Sequence, residues 1–269
     1  GVSRAVVNKA TLLQELKSGN GDSSKALKSS NMVLTGTDTN CAGGMVEGGW
    51  VSCEESSSGG HGYAFYTHPE DASVTAPRPI QSWGRFHREA VAVDPRTGVV
   101  YMTEDRPDGC LYRHVPIDPK KPMGAGKMEA MVVAGQPTMD PYPQTEAMFG
   151  GPPTRFDPKK PLAVSWVEIS DPQAFKESCR QQAIALGATR FMRNEGIVWD
   201  AASCWFISSL GGPVKAGQVF EYTPDPKDGS KGQLRVQLEV TDRRVLSCPD
   251  NLTMAPWGDV VLAEDNYGT

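Results

Sequence analysis

Four short stretches of the chain each begin with a potential metal ligand and run through an apolar segment and a tight turn into a second β-rich segment. These four repeat units cover residues 40–55, 88–105, 194–209 and 249–265. Their first ligand candidates are Cys41, Glu89, Glu195 and the Asp250-Asn251 pair. Three units end on an acidic doublet, and the doublets are Glu54-Glu55, Glu104-Asp105 and Glu264-Asp265; the fourth unit ends on Ser208-Ser209. The repetition predicts acidic groups gathered at one shared centre.

Such a centre would bind cations, because several carboxylates packed together cannot all stay ionised without positive charge between them. Oxygen-rich clusters suit hard cations such as calcium, which takes about 6–8 oxygen ligands. A thiolate among the carboxylates, from Cys41, indicates a first-row transition metal beside the hard cations. The chain has only four histidines, which makes a zinc hydrolase centre a weaker interpretation.

Each of these features also has an ordinary structural interpretation. Acidic pairs at strand ends are commonly solvated turn residues, and sequences such as DPRTG are ordinary turn chemistry. A free cysteine such as Cys41 is often a buried apolar residue. For a single doublet the structural interpretation is favoured, but four units that end alike favour a shared site.

Arg193 lies two residues before Glu195. Residues i and i+2 of a strand face the same side, so both side chains are predicted to point at the same centre. An arginine beside a metal-binding carboxylate suits a phosphate oxyanion. A simple ion pair with Glu195 explains the same spacing equally well.

The spacing of the units indicates which elements position these residues. Glu89 follows Cys41 by 48 residues, Glu195 follows Glu89 by 106, and Asp250 follows Glu195 by 55. A repeat of about 40–50 residues with four strands each is typical of a β-propeller, and the doubled middle interval has room for one more blade. The innermost strand of every blade lines a central channel, so equivalent residues of the units are predicted to converge there.

The rest of the chain fits an all-β protein with two helices. Its 28 glycines and 21 prolines favour many short strands and turns. Residues 1–30 are predicted as a polar segment with a short surface helix, capped by Thr11 and stopped by Gly19, and then a loop. Residues 31–269 are assigned to the propeller domain. An insertion-rich part at about 116–190 is predicted to hold long loops up to residue 160 and a helix within 171–190, from Pro172 to Gly187.

Composition excludes several classes of protein. A mean hydropathy of −0.39 predicts a soluble globular protein, and no apolar run approaches the ~20 residues that a membrane span needs. A net charge of −5 argues against a nucleic-acid-binding surface. The six cysteines form no C-x-x-C pair, and their spacing does not pair them into disulfides.

Four motifs in order resemble the PhoX-type alkaline phosphatases. They are NCAGG followed by CEE, GRF followed by EAVAVDPRTGVVYMTED, RNEGIVW, and PDNL-T-x-x-PWGD, and they lie between Asp38 and Asp265. The resemblance implies a six-bladed propeller and a cluster of calcium and iron ions at the mouth of its channel. It also implies hydrolysis of phosphate monoesters outside the cytoplasm, in the periplasm, in an organelle lumen or after secretion.

The resemblance further implies a role for eight residues. Metal ligation is implied for Cys41, Glu54, Glu55, Glu89, Glu195, Asp250 and Asn251. Cys41 resembles the thiolate ligand of iron, and Asn251 assists Asp250. The eighth residue, Arg193, resembles the phosphate-binding arginine.

Two alternatives stay open. One is a non-catalytic PhoX-like propeller that serves as a scaffold or accessory subunit together with other protein subunits. The other is a lactonase-like or sugar-binding propeller with a single axial calcium. The complete ligand set with Arg193 favours the enzyme. The scaffold is favoured by Arg88, which replaces the histidine usual in the family, and by the end of the sequence after the PDNL unit, which implies a partial chain or an open propeller.

Overall fold

The structure is a computed structural model and describes residues 1–19, 22–142 and 154–265. Within these ranges the chain forms sixteen strands and two α-helices. The strands are β1 (Val2–Val7), β2 (Leu27–Leu34), β3 (Asn40–Val46), β4 (Gly49–Glu54), β5 (Ala64–Thr67), β6 (Arg88–Val93), β7 (Val100–Glu104), β8 (Leu111–Pro116), β9 (Gly126–Val133), β10 (Leu162–Glu168), β11 (Asn194–Asp200), β12 (Ser203–Ser208), β13 (Gln218–Pro224), β14 (Gly232–Glu239), β15 (Pro249–Met254) and β16 (Val260–Glu264). The helices are α1 (Lys9–Lys17) and α2 (Cys179–Ala185). The all-β prediction is confirmed.

Each repeat unit begins a separate antiparallel arrangement of strands. β3-β4-β5 form one sheet and β15-β16 form a hairpin, whereas β6 to β9 and β11 to β14 are four-stranded meanders. β10 pairs with both β9 and β14 and joins the two meanders into one nine-stranded sheet. The two end strands of this sheet, β6 and β11, pack against each other, so the sheet almost closes on itself.

The first strands of the four repeat units lie side by side, in the order β3, β6, β11, β15. Two glycines allow the backbones to approach this closely. A Cβ atom on Gly44 of β3 would lie 2.1 Å from the carbonyl oxygen of Val91 in β6. A Cβ atom on Gly196 of β11 would lie 2.8 Å from the Cα atom of Asn251 in β15. The small residues therefore set the separation of the strands that carry the predicted ligands.

The first two strands of every repeat unit share one register. Asn40 pairs with Glu54, Arg88 with Glu104, Asn194 with Ser208, and Pro249 with Glu264. In each unit the register then shifts, at or directly after the predicted ligand. A β-bulge of this kind bends the strand and re-aims the neighbouring side chain. The four units are thus geometrically equivalent at their ligand positions.

Aromatic side chains fill the core between these sheets. The Phe86 and Tyr112 rings are 4.5 Å apart between their centroids, and the stacked Phe206 and Phe220 rings are 4.9 Å apart. Trp83 is fully buried and donates its indole N–H to the Pro122 carbonyl oxygen at 2.8 Å. Burial of such large side chains gives the sheets a fixed frame for the site.

Several local predictions differ from the structure. The cap of α1 is Asn8 rather than Thr11, because the Asn8 Oδ1 atom accepts hydrogen bonds from the backbone N–H groups of residues 10 and 11. Gly19 follows the helix at φ +70°, as expected of a stop. The N-terminal segment also holds a two-stranded sheet that was not predicted. β1 precedes the helix, and β2 begins within the predicted loop.

The insertion-rich part also contains more regular structure than predicted. α2 begins at Cys179 rather than at Pro172, because the Ser178 side chain caps it through the Gln181 backbone N–H. Gly187, at φ +89°, ends the helix as predicted. β9 occupies part of the region predicted as loops, of which residues 143–153 lie outside the described residues. β10 begins just after that region, where no element was predicted. No helix among the described residues is both long and apolar enough to cross a membrane.

Candidate metal centre

The structure brings the first ligand candidates of all four repeat units together. The Cys41 Sγ atom and carboxylate oxygens of Glu55 and Glu89 lie within 4.8 Å of one another. Carboxylate oxygens of Glu89, Asp105 and Glu195 also lie within 4.8 Å of one another. Asp250 lies beside Glu195 and extends the group. We call this set the acidic centre, and its members are Cys41, Glu55, Glu89, Asp105, Glu195 and Asp250.

The second residue of each terminal doublet faces the acidic centre. Glu55 and Asp105 are members of it. The Ser209 hydroxyl donates a hydrogen bond to Glu195 Oε1 at 3.2 Å. The charge of Asp265 acts on Asp250 and raises its pKa further, beyond the larger effect of burial.

The first residue of each doublet points away from the acidic centre and bonds to groups close to its own repeat unit in the sequence. Glu104 Oε2 accepts from the Cys110 N–H at 3.1 Å, and Glu264 Oε1 accepts from the Ser247 N–H at 2.6 Å. The Ser208 hydroxyl donates to the Met192 carbonyl oxygen at 2.6 Å. Successive side chains of a strand face opposite sides, so only one residue of each doublet can reach the centre.

Glu54 is therefore not placed where the family resemblance implied. Its Oε2 atom accepts from the backbone N–H groups of Gly62 at 2.8 Å and Tyr63 at 3.1 Å. Its Oε1 atom accepts from the Asp38 N–H at 2.9 Å and lies 2.7 Å from His61 Nδ1. Both oxygens are therefore occupied by groups of the surrounding fold.

Asn251 also lies apart from the acidic centre. Asn251 is exposed, and its Oδ1 atom accepts a hydrogen bond from the Leu252 backbone N–H at 3.0 Å. The bulge between Pro249 and Asn251 leaves Asp250 as the residue of β15 that faces Glu195. The structure therefore supports Asp250, and not the pair, as a member of the centre.

Asp105 and Ser209 were missed as site residues by the sequence reasoning. The signal was present, because both end a repeat unit at the position that Glu55 occupies in the first unit. Their backbone N–H groups donate to His87 and Arg193 carbonyl oxygens at 3.2 and 2.8 Å. The same bond in every unit holds the second doublet residue against the residue two before the first ligand.

The residue two positions before the first ligand has an unusual backbone in three units. Thr39, Arg193 and Cys248 have φ values of 41°, 59° and 51°. Non-glycine residues rarely adopt this left-handed region, and those that do cluster at functional sites. His87 occupies the equivalent position of the remaining unit.

Arg193 is held at the acidic centre by two carboxylates. Its Nε atom donates to Asp105 Oδ1 at 2.8 Å, and its Nη2 atom contacts Asp105 Oδ2 and lies 3.1 Å from Glu195 Oε1. The predicted ion pair with Glu195 is present, and it is shared with Asp105. The hydrogen bonds to Asp105 raise the pKa of Arg193, so the side chain stays cationic.

Burial makes full ionisation of the acidic centre unfavourable. It raises the pKa of Glu195 to about 10, with further contributions from Asp105 and Glu89. Burial also raises the pKa of Glu89 to about 8 and that of Glu55 to about 7. Partial burial of the Cys41 thiol at the rim of the centre, followed by the charge of Glu89, raises its pKa well above the usual range.

These features fit bound cations. Glu89 Oε2 is buried and has no hydrogen-bond partner among the described residues. A cation between the carboxylates would satisfy such an oxygen and return the raised pKa values towards ordinary ones. The donor set of one thiol and several carboxylates suits a transition metal next to harder ions. The residues present therefore fit a metal centre.

Arg88, the departure from the family pattern, does not touch the acidic centre. It is fully buried, and its Nη2 atom donates to the carbonyl oxygens of Trp83 and Gly84 at 3.0 Å. Its guanidinium lies 3.9 Å over the Phe86 ring. His87 lies at the edge of the centre instead, with Nδ1 3.8 Å from Glu55 Oε1. The substitution therefore leaves the ligand set intact.

Comparison with known proteins identifies one family. The family described as "Alkaline phosphatase PhoX" matches residues 8–269. No curated protein matches the chain. Among solved structures, a putative 6-phosphogluconolactonase from Bacteroides uniformis is similar at 14% identity and a TM-score of 0.36, covering 91% of this chain and 68% of that chain.

Proposed function

Because the chain belongs to the PhoX alkaline phosphatase family, we propose that it is a metal-dependent phosphomonoester hydrolase with calcium and iron in its acidic centre. The observation that carries the proposal is the gathering of one thiol and carboxylates from all four repeat units around Arg193. The domain assignment and the cellular location are proposed from the same family membership. Residues 31–269 are proposed as part of a six-bladed propeller that works outside the cytoplasm.

The packing of the four first strands supports the propeller proposal. They lie side by side, share one register and carry their ligands at equivalent positions. This is the arrangement expected of innermost strands around a channel. The proposed channel mouth is the acidic centre.

The donor types suggest how the ions divide. Cys41, with Glu89 at its side, suits iron because a thiolate prefers the softer ion. Glu55, Asp105, Glu195 and Asp250 offer oxygen ligands that suit calcium. Bound metal ions would supply Lewis-acid polarisation of the phosphoryl group and would activate the attacking oxygen.

The chain itself contributes Arg193. Asp105 and Glu195 engage its Nε and Nη2 atoms, which leaves Nη1 to donate to an oxygen of the transferring phosphoryl group. Its left-handed backbone and its two carboxylate partners fix the guanidinium in place before substrate arrives. A donor held at the position where negative charge develops stabilises the transition state.

Elemental analysis combined with a phosphatase assay tests the proposal. The protein is loaded with calcium and iron and assayed with p-nitrophenyl phosphate. Bound iron together with turnover supports the enzyme. Calcium alone, or no metal, without turnover would overturn it in favour of the scaffold or accessory subunit, the alternative that retains the fold.

A further inference from the structure

A polar cavity of about 320 Å³ lies beside the acidic centre and has no part in the chemistry above. Its walls come from the segment before β6, the turn after β7 and the chain leading into α2. His87 lines the cavity while its Nδ1 atom lies 3.8 Å from Glu55 Oε1. Arg106 lines it too and directly follows Asp105. The cavity and the acidic centre are therefore immediate neighbours.

The Arg106 side chain is unpaired within the described part of the chain. Among the described residues its guanidinium makes no hydrogen bond or ion pair, and its Nε atom is shielded from solvent. A buried N–H without an acceptor is unfavourable, and structures seldom retain one without a reason. A guanidinium presents a planar fork that fits carboxylate and phosphate oxygens bidentately. The unpaired fork therefore points to an anionic ligand in this cavity.

Two further cations face the same space. Arg180, from the start of α2, has Nε 3.1 Å from Asp108 Oδ1 and Nη1 3.7 Å from Glu104 Oε1. Lys176 lines the cavity and forms no ion pair within the described ranges. Two carboxylates, Glu104 and Glu177, also line it.

The charge balance of the cavity is nevertheless positive. Arg85 is a fourth cation in its wall, but its N–H groups are used by backbone carbonyl oxygens, including those of Gln173 at 2.9 Å and Ala174 at 2.8 Å. Arg85 therefore builds the wall, whereas Arg106 and Lys176 are left for a ligand. Arg180 also lines the cavity and can assist.

We propose that this cavity is a subsite for the leaving group of the substrate and that it binds a second phosphate through Arg106, with Arg180 assisting. The inference rests on the proposed phosphatase function and adds a substrate class to it. Organic bisphosphates would place one phosphate at the acidic centre and the other in the cavity. Monophosphates with an uncharged leaving group would gain nothing from Arg106.

The test compares a sugar bisphosphate with the matched sugar monophosphate and with p-nitrophenyl phosphate. Wild-type protein, loaded with calcium and iron, is expected to favour the bisphosphate in kcat/KM. In Arg106→Ala the ratio of kcat/KM for the bisphosphate to that for the monophosphate should fall roughly 10-fold, the loss expected from one charge-assisted bidentate contact. Arg106→Lys should recover part of it, and Arg78→Ala, at an exposed arginine outside the cavity, should leave the ratio unchanged.

Calorimetric titration with methylenebisphosphonate separates this inference from the proposed function. Roughly 10-fold weaker binding to Arg106→Ala than to wild type supports the subsite, even if no monoester is hydrolysed. Equal binding to both proteins overturns the subsite, whatever the activity. An equal loss of kcat/KM for all three substrates would overturn it as well, because Arg106 would then act on the transferred phosphate.

Discussion

Neighbouring residues in this protein have opposite roles, and the alternation of side chains along a strand explains why. Glu89 faces the acidic centre, whereas Arg88 is buried on the other side among backbone carbonyl oxygens and the Phe86 ring. Burial lowers the pKa of Arg88 to about 10. Glu55 and Glu54 divide in the same way, one towards the centre and one towards backbone N–H groups.

Replacement of Cys41 tests the assignment of the soft ligand. Cys41→Ala is expected to abolish iron binding with little loss of fold, because the residue lies at the exposed rim of the acidic centre. Iron content by mass spectrometry and thermal unfolding by circular dichroism measure the two effects. Cys248→Ala, which lies outside the centre, serves as the control. Iron at full stoichiometry in Cys41→Ala would show that the role given to Cys41 is wrong.

Replacement of Arg193 tests the proposed oxyanion contact. Arg193→Ala should lower kcat for p-nitrophenyl phosphate by roughly 10²–10³-fold, the usual effect of losing a preorganised donor. Arg193→Lys should restore little, because lysine cannot reproduce the fork that Asp105 and Glu195 hold. Metal content is measured in parallel to separate catalysis from loading. A kcat near wild type in Arg193→Ala with full metal content would exclude the contact.

The raised carboxyl pKa values predict how the metal-free protein responds to pH. Glu55, Glu89 and Glu195 keep protons in the folded state up to about 7, 8 and 10, whereas unfolded glutamates lose them near about 4.3. Between these limits the folded state binds more protons, so its free energy of unfolding falls as pH rises. The expected result in EDTA is a Tm that decreases from pH 5 to pH 8.5.

Two comparisons check that the centre causes this slope. Glu195→Gln should flatten it, since one of the raised carboxyls is removed. Saturating calcium should flatten it as well, because ionised carboxylates are then neutralised. A Tm in EDTA that stays level or rises across this range would contradict the prediction.

At the scale of elements, close packing of the first strands decides whether the ligands meet. Gly44 lets β3 lie against β6, and Gly196 lets β11 lie against β15. The bulge in each unit then turns the ligand towards its counterparts in the neighbouring units. The acidic centre is therefore a product of backbone geometry as much as of acidic side chains.

A methyl group at position 44 should disturb both stability and metal loading. In Gly44→Ala the new Cβ atom would meet the Val91 carbonyl oxygen at 2.1 Å, so β3 must move away from β6. We expect a loss of about 1–3 kcal/mol in the free energy of unfolding, typical of overpacking, and reduced iron content. Urea denaturation and elemental analysis measure these. Gly229→Ala, where nothing lies within 4 Å, is the matched control, and equal stability of the two variants would refute the packing argument.

At the scale of the whole molecule, much of the plan could be predicted from the chain. The repeat of ligand, apolar segment and turn indicated an all-β architecture, and the motifs indicated the family to which the chain belongs. The structure also brings Cys41, Glu89, Glu195 and Asp250 together, as the repeat suggested. Their roles as ligands remain a prediction that the experiments above address.

Other features could not be predicted, for identifiable physical reasons. A bulge changes which residues of a strand face one side, so the choice between Glu54 and Glu55 depends on a register that the sequence does not display. β10 was overlooked because its apolar residues follow a stretch rich in proline and glycine. Its pairing joins residues 31–39 positions apart with β9 and 68–72 positions apart with β14, and no local pattern encodes such contacts.

The four units place chemically different side chains on one repeated backbone, with a thiol in the first and carboxylates in the others. Under the proposed function, the metal preference of each unit would depend on its ligand side chain, and the scaffold would stay unchanged. The double variant Cys41→Glu with Glu89→Cys exchanges the ligands of two units. It would move the thiol from the first repeat unit to the second. Two substitutions would then be enough to shift the proposed iron from one unit to the next, a short evolutionary route to altered metal usage.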